Sequence, residues 1–257
     1  MIAVIMLSCV TVFAADSYIT LNGFTFDINK NGDAVIHEYD DRSETVEIPE
    51  KLLGANVVSI DDYAFFGDTV ITSVSFKKAT HLNYIGINAF YGCTGIKTLN
   101  IPANIGTVKF GSFQNCTGLE NAVIEDGLTS IGDQAFMGCS SMKYIEIPDS
   151  VTSISNTAFT NCEKLVIYCN EGSYAQAYAE EQNIPYLLIR EYELGDANLD
   201  GTVTIRDVTT IQLYRAGLMD LPTFRGENFA DVTKDGKVNI RDATMIQMKL
   251  ADLIDSF

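Results

Sequence analysis

Basic residues are scarce in this chain, and their scarcity limits its partners. The 257 residues include 17 lysines and arginines against 34 aspartates and glutamates, which gives a formal net charge of -17. The excess of acid extends over the whole sequence, with 22 acids and 9 bases in residues 1–189 and 12 acids and 8 bases in residues 190–257. A surface of this sign repels phosphate groups, so we expect no nucleic acid partner.

Histidines are fewer still, and no group of catalytic side chains can be recognised. His37 and His81 are the two histidines of the chain, and neither lies near a candidate nucleophile. Adjacent acids such as Asp61 and Asp62 are typical of solvated faces and not of carboxylates on opposite sides of a substrate. The sequence therefore favours a protein that is not an enzyme. The alternative is a polysaccharide-active or other enzyme subunit with an unrecognised active site.

Long apolar runs are confined to the start of the chain. The opening MIAVIMLSCVTVFAAD ends in small residues at the spacing that a signal peptidase accepts, although no Lys or Arg precedes its apolar core, which leaves the true start of the signal open. We predict a signal peptide over residues 1–15. The alternative is a buried strand. A membrane span is disfavoured because the run has only about 15 residues. No other stretch is apolar enough, so we expect no span in the mature protein.

The middle of the sequence repeats at a fixed interval. Phenylalanine recurs at this interval, and so do a cysteine shortly after it and an aliphatic residue shortly before it. The phenylalanines are Phe90, Phe113, Phe136 and Phe159, the cysteines are Cys93, Cys116, Cys139 and Cys162, and the aliphatic residues are Ile85, Val108, Ile131 and Ile154. Phe65 begins the series at a slightly longer interval before Phe90, with Asp68 in the place of the cysteine. A repeat this short buries its apolar face only by stacking on its neighbours, which predicts a solenoid of about five turns.

Each predicted turn contains a short strand. In IKTLNI and MKYIEI the apolar residues alternate with polar ones, which points Leu99 and Ile101 inward in the first segment and Ile145 and Ile147 in the second. Outward positions of these strands carry no repeated aromatic residue of the kind that forms a platform for a sugar. We expect the exposed face of the solenoid to bind a protein or a glycan, and the missing platform tilts the prediction mildly towards a protein.

These turns resemble the leucine-rich repeats of the BspA-like kind, which occur in bacterial surface and secreted proteins. The shared pattern runs L-x-x-I-x-I-P, then V-x-x-I-G, then A-F-x-x-C, and the resemblance extends from residue 46 to about residue 189. The ending EGSYAQAYAEEQNIPYLLI predicts a short helix and a last strand that cover the open end of the stack, as a solenoid requires.

The repeated cysteines have three possible roles. A metal site is disfavoured because the chain has no C-x-x-C pair and the repeat places one sulfur on each turn instead of four around a point. Disulfides between turns are within reach, but identical inward rotamers on parallel strands seldom give the required dihedral angle. We therefore favour buried free thiols that act as small apolar residues. Cys169 falls outside the repeat, and we expect it to be exposed.

A stretch near the start imitates a calcium loop. The letters DINKNGDAVIHE at 27–38 satisfy the pattern D-x-[DN]-x-[DN]-G-x5-E completely. Apolar and polar residues nevertheless alternate on both sides of Asn31-Gly32, a strong hairpin signal, and no helical pattern follows Glu38. We therefore predict a β-hairpin cap over residues 16–45, with no calcium site.

Two stretches near the end carry a cation-binding pattern with a better context. DANLDGTVTIRD at 196–207 and DVTKDGKVNIRD at 231–242 place oxygen-bearing residues at positions 1, 3, 5, 7, 9 and 12 of a twelve-residue loop, with glycine at position 6. Position 7 contributes its backbone carbonyl. We predict one Ca²⁺ in each loop, two in all, with the ligands Asp196, Asn198, Asp200, Thr202, Thr204 and Asp207 in the first and Asp231, Thr233, Asp235, Lys237, Asn239 and Asp242 in the second.

Similar helical patterns follow both loops. VTTIQLYRAGL and ATMIQMKLADL place Ile211 and Ile246 at equal offsets, where they are expected to face a shared core, and Val203 and Val238 at position 8 are expected to join the loops by a short strand. The alternative of two Asp/Gly-rich turns does not explain the common spelling I-R-D-x-T-x-I-Q. A calcium sensor is disfavoured because sensor loops lie between complete helix pairs, whereas this chain has only half-hands, whose expected role is folding.

This duplicated half-hand resembles a type I-like dockerin domain, the calcium-dependent module that attaches secreted proteins to a cohesin on a scaffoldin of a cellulosome-type, polysaccharide-degrading complex. The resemblance covers residues 194 to about 253 and implies a cohesin-binding face at Ile205, Arg206, Gln212, Leu213, Ile240, Arg241, Gln247 and Met248. For Leu213 and Met248, internal packing is an equally good interpretation.

The sequence thus predicts a secreted, non-catalytic binding protein that is held at the cell surface through a scaffoldin. The expected fold is a mainly β leucine-rich-repeat solenoid with an N-terminal β-hairpin cap, followed by a small α-helical dockerin domain with duplicated calcium loops. The expected boundaries are 1–15 for the signal peptide, 16–45 for the hairpin cap, 46–189 for the solenoid and its C-terminal cap, 190–193 for a linker, and 194–257 for the dockerin domain.

Overall fold

The computed structural model describes residues 11–12, 18–189, 194–198, 202–218 and 230–255. The chain divides into two compact units, Met1–Leu188 and Ile189–Phe257. The predicted linker 190–193 and most of the predicted signal peptide lie outside the described residues. Among the residues that the structure describes, no helix is both long and apolar enough to cross a membrane.

The first unit begins with an antiparallel meander, whose strands are β1 (Thr11–Val12), β2 (Ile19–Leu21), β3 (Phe24–Ile28) and β4 (Ala34–Tyr39). Strands β3 and β4 form the predicted hairpin, although their connection is the longer loop 29–33 and not a two-residue turn. The inward side chains Phe26 and Ile36 are fully buried, and β4 pairs in parallel with a strand of the solenoid, so the meander covers the first end of the stack.

The solenoid follows as short strands separated by tight turns. These strands are β5 (Thr45–Glu47), β6 (Lys51–Leu52), β7 (Ala55–Ile60), β8 (Ser73–Ser75), β9 (Tyr84–Ile85), β10 (Thr98–Ile101), β11 (Thr107–Val108), β12 (Asn121–Ile124), β13 (Ser130–Ile131), β14 (Tyr144–Glu146), β15 (Ser153–Ile154), β16 (Val166–Cys169) and β17 (Tyr186–Leu188). The predicted inward residues Leu99, Ile101, Ile145 and Ile147 are all buried. Helix α1 (Tyr174–Gln182) and strand β17 occupy the segment predicted to cover the last turn.

The repeated phenylalanines form one continuous column of rings. Phe65, Phe90, Phe113, Phe136 and Phe159 stack with neighbouring centroids 4.6–5.5 Å apart and planes within 13° of parallel. Each ring is 5% exposed or less. The column is therefore the centre of the core, and every turn contributes one ring to it.

Tyrosines extend this column at both ends, and the prediction of about five turns was too low. Tyr39 stacks on Phe65 with centroids 5.2 Å apart, and Tyr178 meets Phe159 edge-on at 6.2 Å. The solenoid has about seven turns. The interval from Tyr39 to Phe65 is longer than the regular one and that from Phe159 to Tyr178 is shorter. Together with the change from phenylalanine to tyrosine, these irregular intervals concealed the outer turns from a search for a constant period.

The repeated cysteines are free thiols, as predicted. Each thiol donates to the carbonyl of the phenylalanine one turn earlier, for example Cys93 to Phe65 and Cys116 to Phe90, both at 3.1 Å. Desolvation by burial raises the pKa of Cys116 to about 12 and that of Cys162 to about 11. The expected exposure of Cys169 was wrong: this residue ends β16 and is fully buried, because β17 pairs alongside it.

These thiols are expected to be unreactive in the folded protein. The nucleophile in thiol chemistry is the thiolate, and burial disfavours the charged form. Ellman's reagent at pH 8 should modify well under one thiol in a chain that begins at residue 16, with the partly exposed Cys162 first, and all five thiols in guanidinium. Rapid modification of several thiols without denaturant would contradict the buried ladder.

The parallel strand sheet of the solenoid is interrupted once. Strands β10, β12, β14, β16 and β17 form a five-stranded sheet, whereas β5 and β8 form a separate pair, and no ladder joins β8 to β10. The interruption coincides with the interval between Phe65 and Phe90, which is longer than the interval between successive phenylalanines in the following turns.

In its described residues, the second unit has the helices α2 (Ile205–Arg215) and α3 (Ile240–Leu250), which pack on a small shared core. Ile211 and Ile246 are fully buried in it, as predicted. The expected short strand at the two valines is not found in the described part of this unit. Val203 and Val238 instead pack on the same apolar cluster, which serves the purpose that the strand was expected to serve.

Candidate calcium loops and partner-binding face

The second loop is organised around Asp231 at its first position. One carboxylate oxygen of Asp231 accepts the Asp235 N–H at 3.1 Å, and the other accepts the Gly236 N–H at 2.7 Å. Gly236 has a φ of 81°, a left-handed conformation that a side chain rarely adopts. The backbone therefore curls around the Asp231 carboxylate.

Asp242, at position 12, closes this loop. Its Oδ1 accepts the Thr233 N–H at 3.0 Å and the Thr233 hydroxyl at 2.9 Å, while its Oδ2 accepts the Asn239 N–H at 2.8 Å. Asp242 is also the third residue of α3 and completes a capping box with Asn239. One short side chain thus ties the start of the loop to the helix that follows it.

The first loop has the same closure. Asp207 accepts the Asn198 N–H at 3.0 Å through Oδ1 and the Thr204 N–H at 2.8 Å through Oδ2, and it forms a capping box with Thr204 at the start of α2. Asp196 and Asp207 are fully buried. Asp200 lies outside the described residues, and Thr202 is exposed.

Position 9 has a role that the search for ligands missed. The side chains of Thr204 and Asn239 accept the N–H groups of Arg206 and Arg241, at 3.2 and 2.9 Å, and so serve as helix N-caps. The Asn239 amide also donates to the Lys237 carbonyl at 2.8 Å. The signal was present in the sequence, since T-I-R-D and N-I-R-D both fit a capping pattern.

The residues in these loops fit calcium. Three carboxylates, those of Asp196, Asp207 and Asp242, are fully buried, and burying a charge is costly unless an opposite charge compensates it. Within the described ranges no three acidic, histidine or cysteine side chains converge on one point. Beside these carboxylates, each loop carries the hydroxyl, amide and carbonyl oxygens of its other predicted ligands, and together they form the mixed oxygen set that Ca²⁺ takes.

The imitation loop at 27–38 has its polar groups occupied in other ways. The Asn29 side-chain oxygen accepts the N–H groups of Asn31 and Asp33, and Asp27 lies opposite Val35 in the β3–β4 ladder. His37 bridges two carboxylates, with Nε2 3.3 Å from Asp27 and Nδ1 2.9 Å from Asp61. The segment is a hairpin, and the carboxylates of Asp27 and Asp61 lie on either side of the His37 ring.

The residues assigned to partner binding lie mostly on the surface of the two helices. Ile205 and Ile240, which begin α2 and α3, are 59% and 63% exposed, and Arg206, Arg241, Gln212 and Gln247 are exposed as well. Leu213 is exposed and Met248 is half-buried, and neither belongs to the apolar cluster of the unit.

Comparison with protein families assigns both units. Residues 39–166 match the family described as BspA type leucine rich repeat region, in six copies, and residues 194–251 match the dockerin type I domain. The chain combines a BspA-type leucine-rich repeat region with a type I dockerin domain. Dockerins of this type are known calcium binders and imply a cohesin partner, and neither region is a catalytic domain. No curated protein matches the chain significantly.

Solved structures resemble the solenoid. A Treponema pallidum leucine-rich repeat protein is 26% identical with a TM-score of 0.54, and the match covers 58% of this chain and 70% of that one. A leucine-rich cell surface protein from Faecalibacterium prausnitzii is 28% identical with a TM-score of 0.55, covering 64% of this chain and 42% of its own. A Bacteroides ovatus leucine-rich repeat protein is 28% identical with a TM-score of 0.52, and the coverages are 58% and 40%. The match thus spans less than half of the length of the last two.

Proposed function

We propose that this chain is a secreted, non-catalytic binding protein whose solenoid presents an interaction surface and whose dockerin domain attaches it to a cohesin on a scaffoldin. The complex would be a cellulosome-type, polysaccharide-degrading assembly outside the cell. One observation carries the proposal: each of two loops with a buried carboxylate at position 12 leads into a helix that exposes the same Ile-Arg pair. Calcium holds the loops in this arrangement, and the arrangement orients the helices.

The two Ile-Arg pairs form equivalent halves of the proposed cohesin-binding face. Ile205 and Ile240 are apolar and largely exposed, and each is followed by an exposed arginine. An exposed apolar anchor beside a cation is typical of the residues that dominate binding interfaces. Because Gln212 and Gln247 stand at equal offsets further along α2 and α3, either half offers a partner the same contacts.

Loss of one half should weaken cohesin binding only slightly. Replacement of Ile205 by Asp and Arg206 by Glu places negative charge on the face that contacts the cohesin in one of the two binding orientations. The affinity should therefore fall about twofold, which is the statistical loss of one of two equal binding modes. The same change at Ile240 and Arg241 should act alike. Titration calorimetry against a panel of type I cohesins measures both variants.

The four substitutions together should abolish binding while both calcium ions remain bound, because none of the four residues is a predicted ligand. Near-total loss from one half alone would show a single binding mode. Failure of every cohesin to bind the unchanged protein in the presence of calcium would contradict the proposed attachment.

A further inference from the structure

A cleft of about 590 Å³ opens where the strand sheet of the solenoid is interrupted. It lies between β8 and β10, which are not joined by a ladder. Hydroxyl, amide, carboxylate and ammonium groups line it, together with apolar side chains that are mostly buried. A volume of this size is ordinary for a small-molecule site.

Two additional residues in this turn account for the cleft. The segment from Phe76 to Ile85 is longer by two than the corresponding segment of the next turn, from Ile101 to Val108. The longer segment forms its own turns, in which the Ala79 N–H donates to the Phe76 carbonyl at 2.9 Å. It thereby builds one wall of the cleft, while residues 102–104 of the next turn build the other.

The two walls are held together at both ends. Next to the start of the strands, the Lys97 N–H donates to the Thr72 carbonyl at 3.4 Å, and at the far end the Asn104 amide donates to the Thr80 carbonyl at 3.3 Å. An extended peptide inserted between β8 and β10 would need about twice the usual strand separation of about 4.8 Å, and these two contacts oppose it. The cleft is therefore suited to a compact ligand.

Glu125 is fixed in position at the rim. Its Oε1 accepts the Asn100 amide at 3.1 Å, and its Oε2 accepts the Ala103 N–H at 3.3 Å. Each carboxylate oxygen has a further lone pair, so the fixed group is able to accept hydrogen bonds from two adjacent hydroxyls of a ligand. The Thr98 hydroxyl, which can donate and accept, and the side-chain oxygen of Asn100, which can accept, also line the cleft.

We infer that this cleft is a binding site for a neutral saccharide of one to three rings. The inference deepens the proposed function, since it names the ligand of the solenoid surface, and it rests on that function. Sugars present hydroxyls on their edges and apolar C–H groups on their ring faces. The fixed carboxylate, the amides and the hydroxyls match the edges, and the half-buried Ala103 offers an apolar contact to a ring face, since Phe76, Ala79 and Pro102 are buried. The carboxylate and the net charge of -17 disfavour an anionic sugar.

The first test fills the cleft without disturbing the fold. Thr98 is exposed and lies in register with Asn121 and Tyr144 of the next two strands, so tyrosine is already accommodated at this register. Neutral di- and trisaccharides of glucose, xylose, mannose and galactose are titrated into the full chain with calcium present. At least one should bind, and Thr98→Tyr should weaken it more than tenfold.

The second test removes the fixed charge. Glu125→Gln keeps the size of the side chain but loses its charge-assisted hydrogen bonds, so binding should weaken about tenfold. The matched control Glu163→Gln alters an exposed acid outside the cleft and should bind as the unchanged protein does.

Three results would overturn the inference: no sugar of the panel binding at millimolar concentration, binding that Thr98→Tyr leaves unchanged, or capture of an extended peptide library in place of sugars. Cohesin binding is measured in the same variants and should be unaffected. A failure of the saccharide site is thereby distinguished from a failure of the proposed attachment.

Discussion

Removal of calcium by EDTA is expected to unfold the C-terminal unit of the full chain and to leave the solenoid folded. About 60 residues supply too little core for secure folding, so metal binding contributes part of the folding free energy. A free calcium concentration of about a thousand times the Kd raises the free energy of unfolding of this unit by about 4 kcal/mol for each occupied site. For a unit of this size, that gain raises the Tm by about 15–30 °C. Calorimetry should show one transition that moves with EDTA and one that does not.

Substitution in the loops should reproduce the effect of the chelator. Asp200→Ala together with Asp235→Ala removes one carboxylate from each predicted site, and metal analysis should then find fewer than two Ca²⁺ per chain. The control is Asp27→Ala in the imitation loop, which should leave the stoichiometry at two. A C-terminal transition that is indifferent to EDTA would contradict the proposed sites.

Truncation of a central ring of the phenylalanine column should be the most damaging single change in the solenoid. Phe113 is fully buried between Phe90 and Phe136, with centroids 5.4 and 5.5 Å away. Phe113→Ala should lower the free energy of unfolding by about 3–5 kcal/mol, because it removes a large apolar group and leaves a cavity between two rings. Denaturant titration of the first-unit transition measures the loss.

The matched control for this change lies close by in the same turn. Phe110 is 41% exposed, so Phe110→Ala removes the same atoms from a site that water already reaches, and the cost should be about 0.5 kcal/mol or less. Equal losses at the two positions would show that the stacked column is not the source of the stability of the solenoid.

The regular part of the fold could be predicted because its pattern is local. Residues such as Phe113 and Cys116 recur at a constant interval, and stacking is the only way for so short a unit to bury them. The outer turns could not be predicted in this way, since Tyr39 and Tyr178 contact the column at other spacings. Cys169 was misjudged because its burial depends on β17, whose pairing the local sequence does not reveal.

The two loops could be predicted for the same reason, since twelve consecutive residues carry the whole pattern, while the binding of Ca²⁺ by these residues stays a prediction. The hydrogen-bonding role of Asp207 and Asp242 could not be predicted, because a carboxylate at position 12 looks the same in a sequence whether it only awaits a cation or also closes the loop. The cleft beside Glu125 was missed because it results from two additional residues in another turn. Only three-dimensional structure brings residues 75, 98 and 125 together.

The regular register between turns has a consequence for the ancestry of this protein. Thr98, Asn121 and Tyr144 lie directly beside one another on successive strands, so each turn presents the same edge to the next. In-frame duplication or loss of the coding sequence for one of these regular repeats therefore preserves the interfaces with its neighbours and changes only the height of the stack, by about 4.8 Å for each turn. The length of such a surface can change by whole units while the two ends, which are closed by different sequences, stay the same.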